Sequence, residues 1–164
     1  MIAEESPFKP GIYFDDLKFD YTESVINIPP NSCNDVDRFI DINKFTHLEK
    51  LIVGKDSFKG ALEFHIDQLN ELTEIHIFNR AFDTGCTDQI FGPFAISNCS
   101  QLESIILEPF SFTHYVKSFS LENLPSLKHL QIGRIGSYSA SFRVLSFCIK
   151  GFSRSIVLHR FAQT

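Results

Sequence analysis

Apolar residues return along this chain at the same offsets within a repeating unit. The frame L-x-x-[LI]-x-[VIL] occurs as LEKLIV at 48–53, LTEIHI at 72–77, LESIIL at 102–107 and LKHLQI at 127–132. The alternation that closes each frame predicts a short strand with one side in a core and the other facing out. Repetition at a period of roughly 25 residues is the signature of a solenoid, in which a unit buries its apolar side only by stacking on its neighbours.

Other positions recur in the same phase. Five residues after the last apolar position comes an aromatic, Phe58, Phe82 or Phe112, with Tyr138 one residue late in the fourth copy. Eight and six residues before each opening Leu stand the pairs Ile40/Ile42, Phe64/Ile66, Phe94/Ile96 and Phe119/Leu121, and three before it Phe45, Leu69, Cys99 or Leu124. The pairs predict a second extended piece per unit, and stretches such as 66–72 have room for a helical turn but not a helix. Ile26 and Ile28 precede Leu51 and Val53 by one such period, which marks a degenerate first coil turning at Pro29, Pro30 and Asn31. Phe147 to Ile149 follows Phe119 to Leu121 at a slightly longer interval and opens an incomplete last coil, with 156–158 as its final strand.

The expected fold is therefore mostly β, a solenoid of about five coils with a parallel sheet, little helix and irregular ends. Residues 1–23 are read as an N-terminal cap built on the aromatics between Phe8 and Tyr21, because a solenoid must cover its exposed end. Residues 24–141 hold the coils, and 142–164 the incomplete coil and a C-terminal cap with Arg154, His159 and Arg160 on its surface. The interval from Phe82 to Phe94 is nearly twice that from Phe58 to Phe64 or from Phe112 to Phe119, which places an insertion at 83–93.

This unit resembles a leucine-rich repeat, in a divergent variant with Ser-Phe (57–58, 111–112) or Ala-Phe (81–82) after the strand. The resemblance covers roughly residues 24–158. It departs from the commoner L-x-x-L-x-L-x-x-N-x-L form in the turn that carries Lys55, Asn79, Pro109 and Arg134, so the usual asparagine ladder is expected to be absent and the Phe row to fill that turn. The resemblance implies a curved solenoid that recognises proteins with its sheet face, and it implies no catalytic residues.

Composition narrows the function classes. The 164 residues include 15 Lys and Arg against 20 Asp and Glu without a run of either sign, which argues against a nucleic-acid or anionic-membrane binder. The 18 Phe against one Met and no Trp fit a repeated slot for a large apolar plug. Cys33, Cys86, Cys99 and Cys148 show neither C-x-x-C pairing nor zinc-like spacing, and Cys33 and Cys99 occupy apolar slots, so a disulfide framework is not expected. The middle residue of the Asn98-Cys99-Ser100 glycosylation pattern is one of those core slots, which discounts it. No signal-like or membrane-spanning apolar stretch is present, so the expectation is a soluble, cytoplasmic protein with reduced thiols.

With strands in register, outward residues form ladders about 4.8 Å apart from coil to coil. One is Ile52, His76, Ile106, Gln131; its neighbour is Lys50, Glu74, Ser104, His129; a third, just past the strands, includes Phe78 and Glu108. Ile52, Phe78 and Ile106 are apolar where solvent is expected, which marks an interaction face. In the insertion, Cys86, Ile90 and Phe91 are candidate loop contacts. His76 and His129 lie two coils apart, too far to share a metal, and no nucleophile elbow, phosphate loop or dinucleotide fingerprint occurs. No catalytic residue, metal or cofactor is expected. The expected function is a non-enzymatic scaffold that binds a protein partner. The alternatives are a structural module that self-associates weakly through its ends and an extracellular recognition repeat protein.

Overall fold

The computed structural model describes residues 11–14, 17–34, 41–61, 63–83, 92–113, 118–133, 147–151 and 157–160. The strands are β1 (Gly11–Phe14), β2 (Leu17–Asp20), β3 (Val25–Ile28), β4 (Lys50–Val53), β5 (Phe64–Asp67), β6 (Glu74–Ile77), β7 (Phe94–Ser97), β8 (Ser104–Leu107), β9 (Phe119–Glu122), β10 (His129–Ile132), β11 (Phe147–Lys150) and β12 (Val157–Arg160). From β3 onward they form a parallel β-solenoid of about four turns. One sheet has six strands in the order β12-β10-β8-β6-β4-β3, the other four in the order β11-β9-β7-β5. No helix among the described residues is long and apolar enough to cross a membrane.

Equivalent repeat positions sit side by side. Ile26 pairs with Leu51 and Ile28 with Val53 at the first coil, and Phe147 with Phe119 and Ile149 with Leu121 at the last. Alternation sends Leu51, Val53, Ile75, Ile77, Ile105, Leu107, Leu130 and Ile132 into the core from the six-stranded sheet, and Phe64, Ile66, Phe94, Ile96, Phe119 and Leu121 from the other. Leu48, Leu72, Leu102 and Leu127 fill the corner between the sheets.

The many phenylalanines form two ladders that run from coil to coil. Phe58, Phe82 and Phe112 stack nearly parallel, with centroids 5.2 and 4.6 Å apart. Phe64, Phe94 and Phe119 stack likewise, at 5.0 and 4.9 Å. The two ladders meet edge to face, for example Phe94 against Phe112 at 4.9 Å. Offset stacks and edge contacts both suit the ring quadrupole, so one residue type fills the whole corner. Where the ladders give way to smaller residues at the first coil, a void of about 10 Å³ remains beside Ile28, Ile42, Phe58 and Phe64.

Sharp corners allow coils this short. Asn31 and Cys33, Asp56 and Phe58, Arg80 and Phe82, and Phe110 and Phe112 are pairs of left-handed residues with φ between 56° and 64°. Gln68, Asn98, Asn123 and Gly151 take the same region after each strand of the second sheet. Backbone bonds to the preceding coil hold the corners, as where Phe82 N donates to Ser57 O and Phe112 N to Ala81 O.

One sequence expectation is corrected. The pair Ile40/Ile42 does not give a strand: Ile42–Lys44 is a 3-10 turn, while Ile40 lies outside the described residues. Asn43 there does the work of a strand with its side chain, donating from Nδ2 to His65 O and accepting at Oδ1 from Asp67 N. The final strand is Val157–Arg160, with Leu158 opposite the core residue Leu130, and Ile156 of the expected 156–158 lies outside the described residues. In the 66–72 stretch Gln68 turns left-handed directly after β5, and Leu72 N then closes a single i→i+3 turn on Leu69 O without starting a helix.

The segment read as an N-terminal cap contains an antiparallel hairpin, β1 with β2. Phe19 from β2 is buried with the core, and Tyr21 meets Phe45 edge-on at 5.2 Å. At the insertion, β5 and β7 pair in register, Phe64 with Phe94, so the extra residues leave the coil geometry intact.

Candidate functional site

The outward face of the six-stranded sheet collects the residues singled out from the sequence. Lys50 pairs with Glu74, Glu74 with Ser104 and Ser104 with His129 in one row. Ile52, His76, Ile106 and Gln131 follow in the next. Phe78 and Glu108 extend this grid beyond the strands, because Phe78 N donates to Val53 O and Glu108 N to Ile77 O as though the ladder continued.

At the centre, the His76 ring lies flat on Phe78, with centroids 4.1 Å apart and planes 12° from parallel. His76 Nε2 lies 3.1 Å from Glu108 Oε1, and Asn79 N donates to Glu108 Oε2 at 3.1 Å. This carboxylate therefore fixes the imidazole edge while the ring face braces Phe78. Ile52 and Ile106 flank His76 on the neighbouring strands. All four are half-buried, so their apolar surface is part of the face without being loose in solvent. Lys50 and Glu74 form an ion pair at 3.1 Å on one side of the strip, and Lys128 and Glu103 one at 2.6 Å nearby. Gly54 and Gly133, in line with Phe78, are both buried. A Cβ on Gly54 would come within 2.6 Å of Ile28 O and the Pro29 and Pro30 backbone.

This arrangement is an apolar strip with a polar rim. Among the described residues no group of three or more His, Cys, Asp or Glu side chains could hold a metal ion. Cys33 and Cys99 are buried, and the surrounding core pushes the Cys99 thiol pKa from 9.0 up to about 11. The loop candidates Cys86, Ile90 and Phe91 lie outside the described residues.

Sequence reasoning missed the polar face of the second sheet. Its corner carries an amide ladder, with Asn123 Nδ2 donating to Asn98 Oδ1 and Asn98 Nδ2 to Asp67 Oδ1. The Ser97 hydroxyl and the Asn98 amide hold the Asp67 carboxyl below its ordinary pKa. Lys150 bonds to Glu122 at 2.9 Å, which lowers the carboxyl pKa and raises that of the ammonium. Small side chains, Ala95, Ser97 and Ser120, leave an open groove of about 510 Å³ here. The signal was present as Gln68, Asn98, Asn123 and Gly151, each two residues past the second apolar position of its pair.

Fold and face together define a parallel β-solenoid repeat protein with a period of about 25 residues. No known protein family, curated protein or solved structure matches the chain.

Proposed function

We propose that the chain is a divergent leucine-rich repeat protein acting as a non-enzymatic scaffold, which binds a protein partner through the outward face of its six-stranded sheet. The observation that carries this reading is the half-buried strip of Ile52, the stacked His76 and Phe78, and Ile106, set on strands whose register fixes every position. Aromatic and aliphatic anchors inside a polar rim are where binding energy concentrates, and a surface already rigid loses little entropy on association. The repeat spacing and the L-x-x-L-x-I strands support the leucine-rich assignment. The Ser-Phe or Ala-Phe after the strand is what makes the variant divergent.

The test is affinity capture from native extract with the wild type and with a variant carrying Ile52→Ser, Phe78→Ser and Ile106→Ser. A specific partner lost from the variant, with an unchanged circular dichroism spectrum, is the expected result. A partner retained by the variant would remove the sheet face from consideration.

A further inference from the structure

The two sheets end differently at the N-terminal side of the solenoid. In a parallel pair, alternate residues of a strand turn both backbone groups toward one neighbour. Lys50 N donates to Ser24 O and Gly54 N to Ile28 O, so Ser24, Ile26 and Ile28 face β4 while Val25 and Asn27 face away. The matching outward groups of β5 belong to His65 and Asp67, and Asn43 engages two of them, His65 O and Asp67 N. Nothing among the described residues covers those of Val25 and Asn27 on β3. Val25 is 42% exposed, one of two large apolar side chains so exposed among the described residues. Edge strands are usually blunted by a charge, a proline or a bulge. Within Val25–Ile28 there is none of these, and Pro29 and Pro30 follow it.

We propose that β3 is a pairing edge for a second copy of this chain, joined antiparallel about a two-fold axis at Ile26. Val25 then stands opposite Asn27 of the second copy, and Asn27 opposite its Val25. Both are hydrogen-bonded pairs, so the four free N–H and C=O groups of each strand edge are all used in four N–H···O bonds. The two six-stranded sheets become one continuous sheet. Head-to-tail stacking would have to extend the second sheet from β5 as well, and Asn43 occupies that edge. The two-fold arrangement uses β3 twice and closes, leaving no growing end. A four-residue edge offers less than the roughly 1,200 Å² of a standard interface, so the dimer belongs to the weak, concentration-dependent class. This goes beyond the sheet-face reading, since the edge and the face are separate surfaces.

The experiment is sedimentation velocity of the full chain from about 0.01 to 1 mM, comparing the wild type with Asn27→Pro and Val25→Lys. The wild type is expected to pass from monomer to dimer and stop there. Asn27→Pro removes an N–H that points away from β4, so it is expected to keep the circular dichroism spectrum and weaken association at least tenfold. Val25→Lys places a charge on the edge without touching the backbone, and reads the same surface if the proline variant does not fold. A monomer at every concentration, growth past the dimer, or a dimer that persists in the folded variants would overturn the proposal.

Discussion

Ser57 and Ser111 are the polar residues buried within the described core, and both precede a ladder phenylalanine. Ser57 Oγ donates to Pro29 O at 2.9 Å and accepts from Ser32 N at 3.1 Å, so one hydroxyl satisfies two backbone groups of the preceding coil. Replacing Ser57 with Ala strands both, and urea denaturation should show a loss of about 1–3 kcal/mol; a loss under about 0.5 would mean that water satisfies the corner instead. The core register has its own contrast. Leu102→Ala empties a fully buried slot and should cost about 2–5 kcal/mol. Glu103→Ala removes an exposed ion pair to Lys128 and should cost under about 0.5. Equal effects would contradict the register. Cys99 links burial to pH: its folded pKa is raised from 9.0 to about 11, so above pH 9.0 the unfolded chain releases a proton that the folded chain retains. Stability from this group is therefore full below 9.0 and declines as pH rises toward 11. Against a Cys99→Ala reference, the wild type should lose stability more steeply in that window.

At the level of the element, each coil depends on left-handed corners occupied mostly by residues other than glycine. Such a conformation costs a residue with a Cβ roughly 1–2 kcal/mol, offset here by stacking and coil-to-coil bonds. Arg80 is exposed at φ 58°, and its backbone N donates to Pro109 O whatever the side chain. Arg80→Gly should thus raise stability by about 0.5–1 kcal/mol once the looser unfolded chain is counted, and a fall in the melting temperature would show that the side chain holds the corner. These elements were unequally legible in the sequence. The inward positions had to repeat, because Leu51, Ile75, Ile105 and Leu130 meet one another, so the register of β3 through β11 could be read from spacing alone. The 3-10 turn at Ile42–Lys44 could not, because Asn43 replaces a strand by side-chain hydrogen bonds that leave no apolar period. The groove on the second sheet was hidden for a related reason: Ala95, Ser97 and Ser120 are outward positions, and core packing places no pattern on them.

Across the whole molecule, each coil touches its neighbours and little else, so stability is nearly a sum over coils and the interfaces between them. The insertion at 83–93 tests this view. It makes the path from Phe82 to Phe94 twice as long as that from Phe58 to Phe64, yet Phe82 stacks on Phe58 and Phe112 while Phe94 stacks on Phe64 and Phe119. Both ladders pass the insertion unbroken, so the described coils on either side keep their register. Removing six residues from 84–90 restores the shorter interval. Loop-closure entropy changes by only about 0.6 kcal/mol for each halving of length, so the shortened protein should unfold within about 1 kcal/mol of the wild type. A loss of several kcal/mol in denaturant titration would instead mean that the insertion packs against the coils as part of the core. Partner capture by the shortened chain separates the two surfaces: binding retained assigns recognition to the sheet face, and binding lost with stability intact assigns it to the loop.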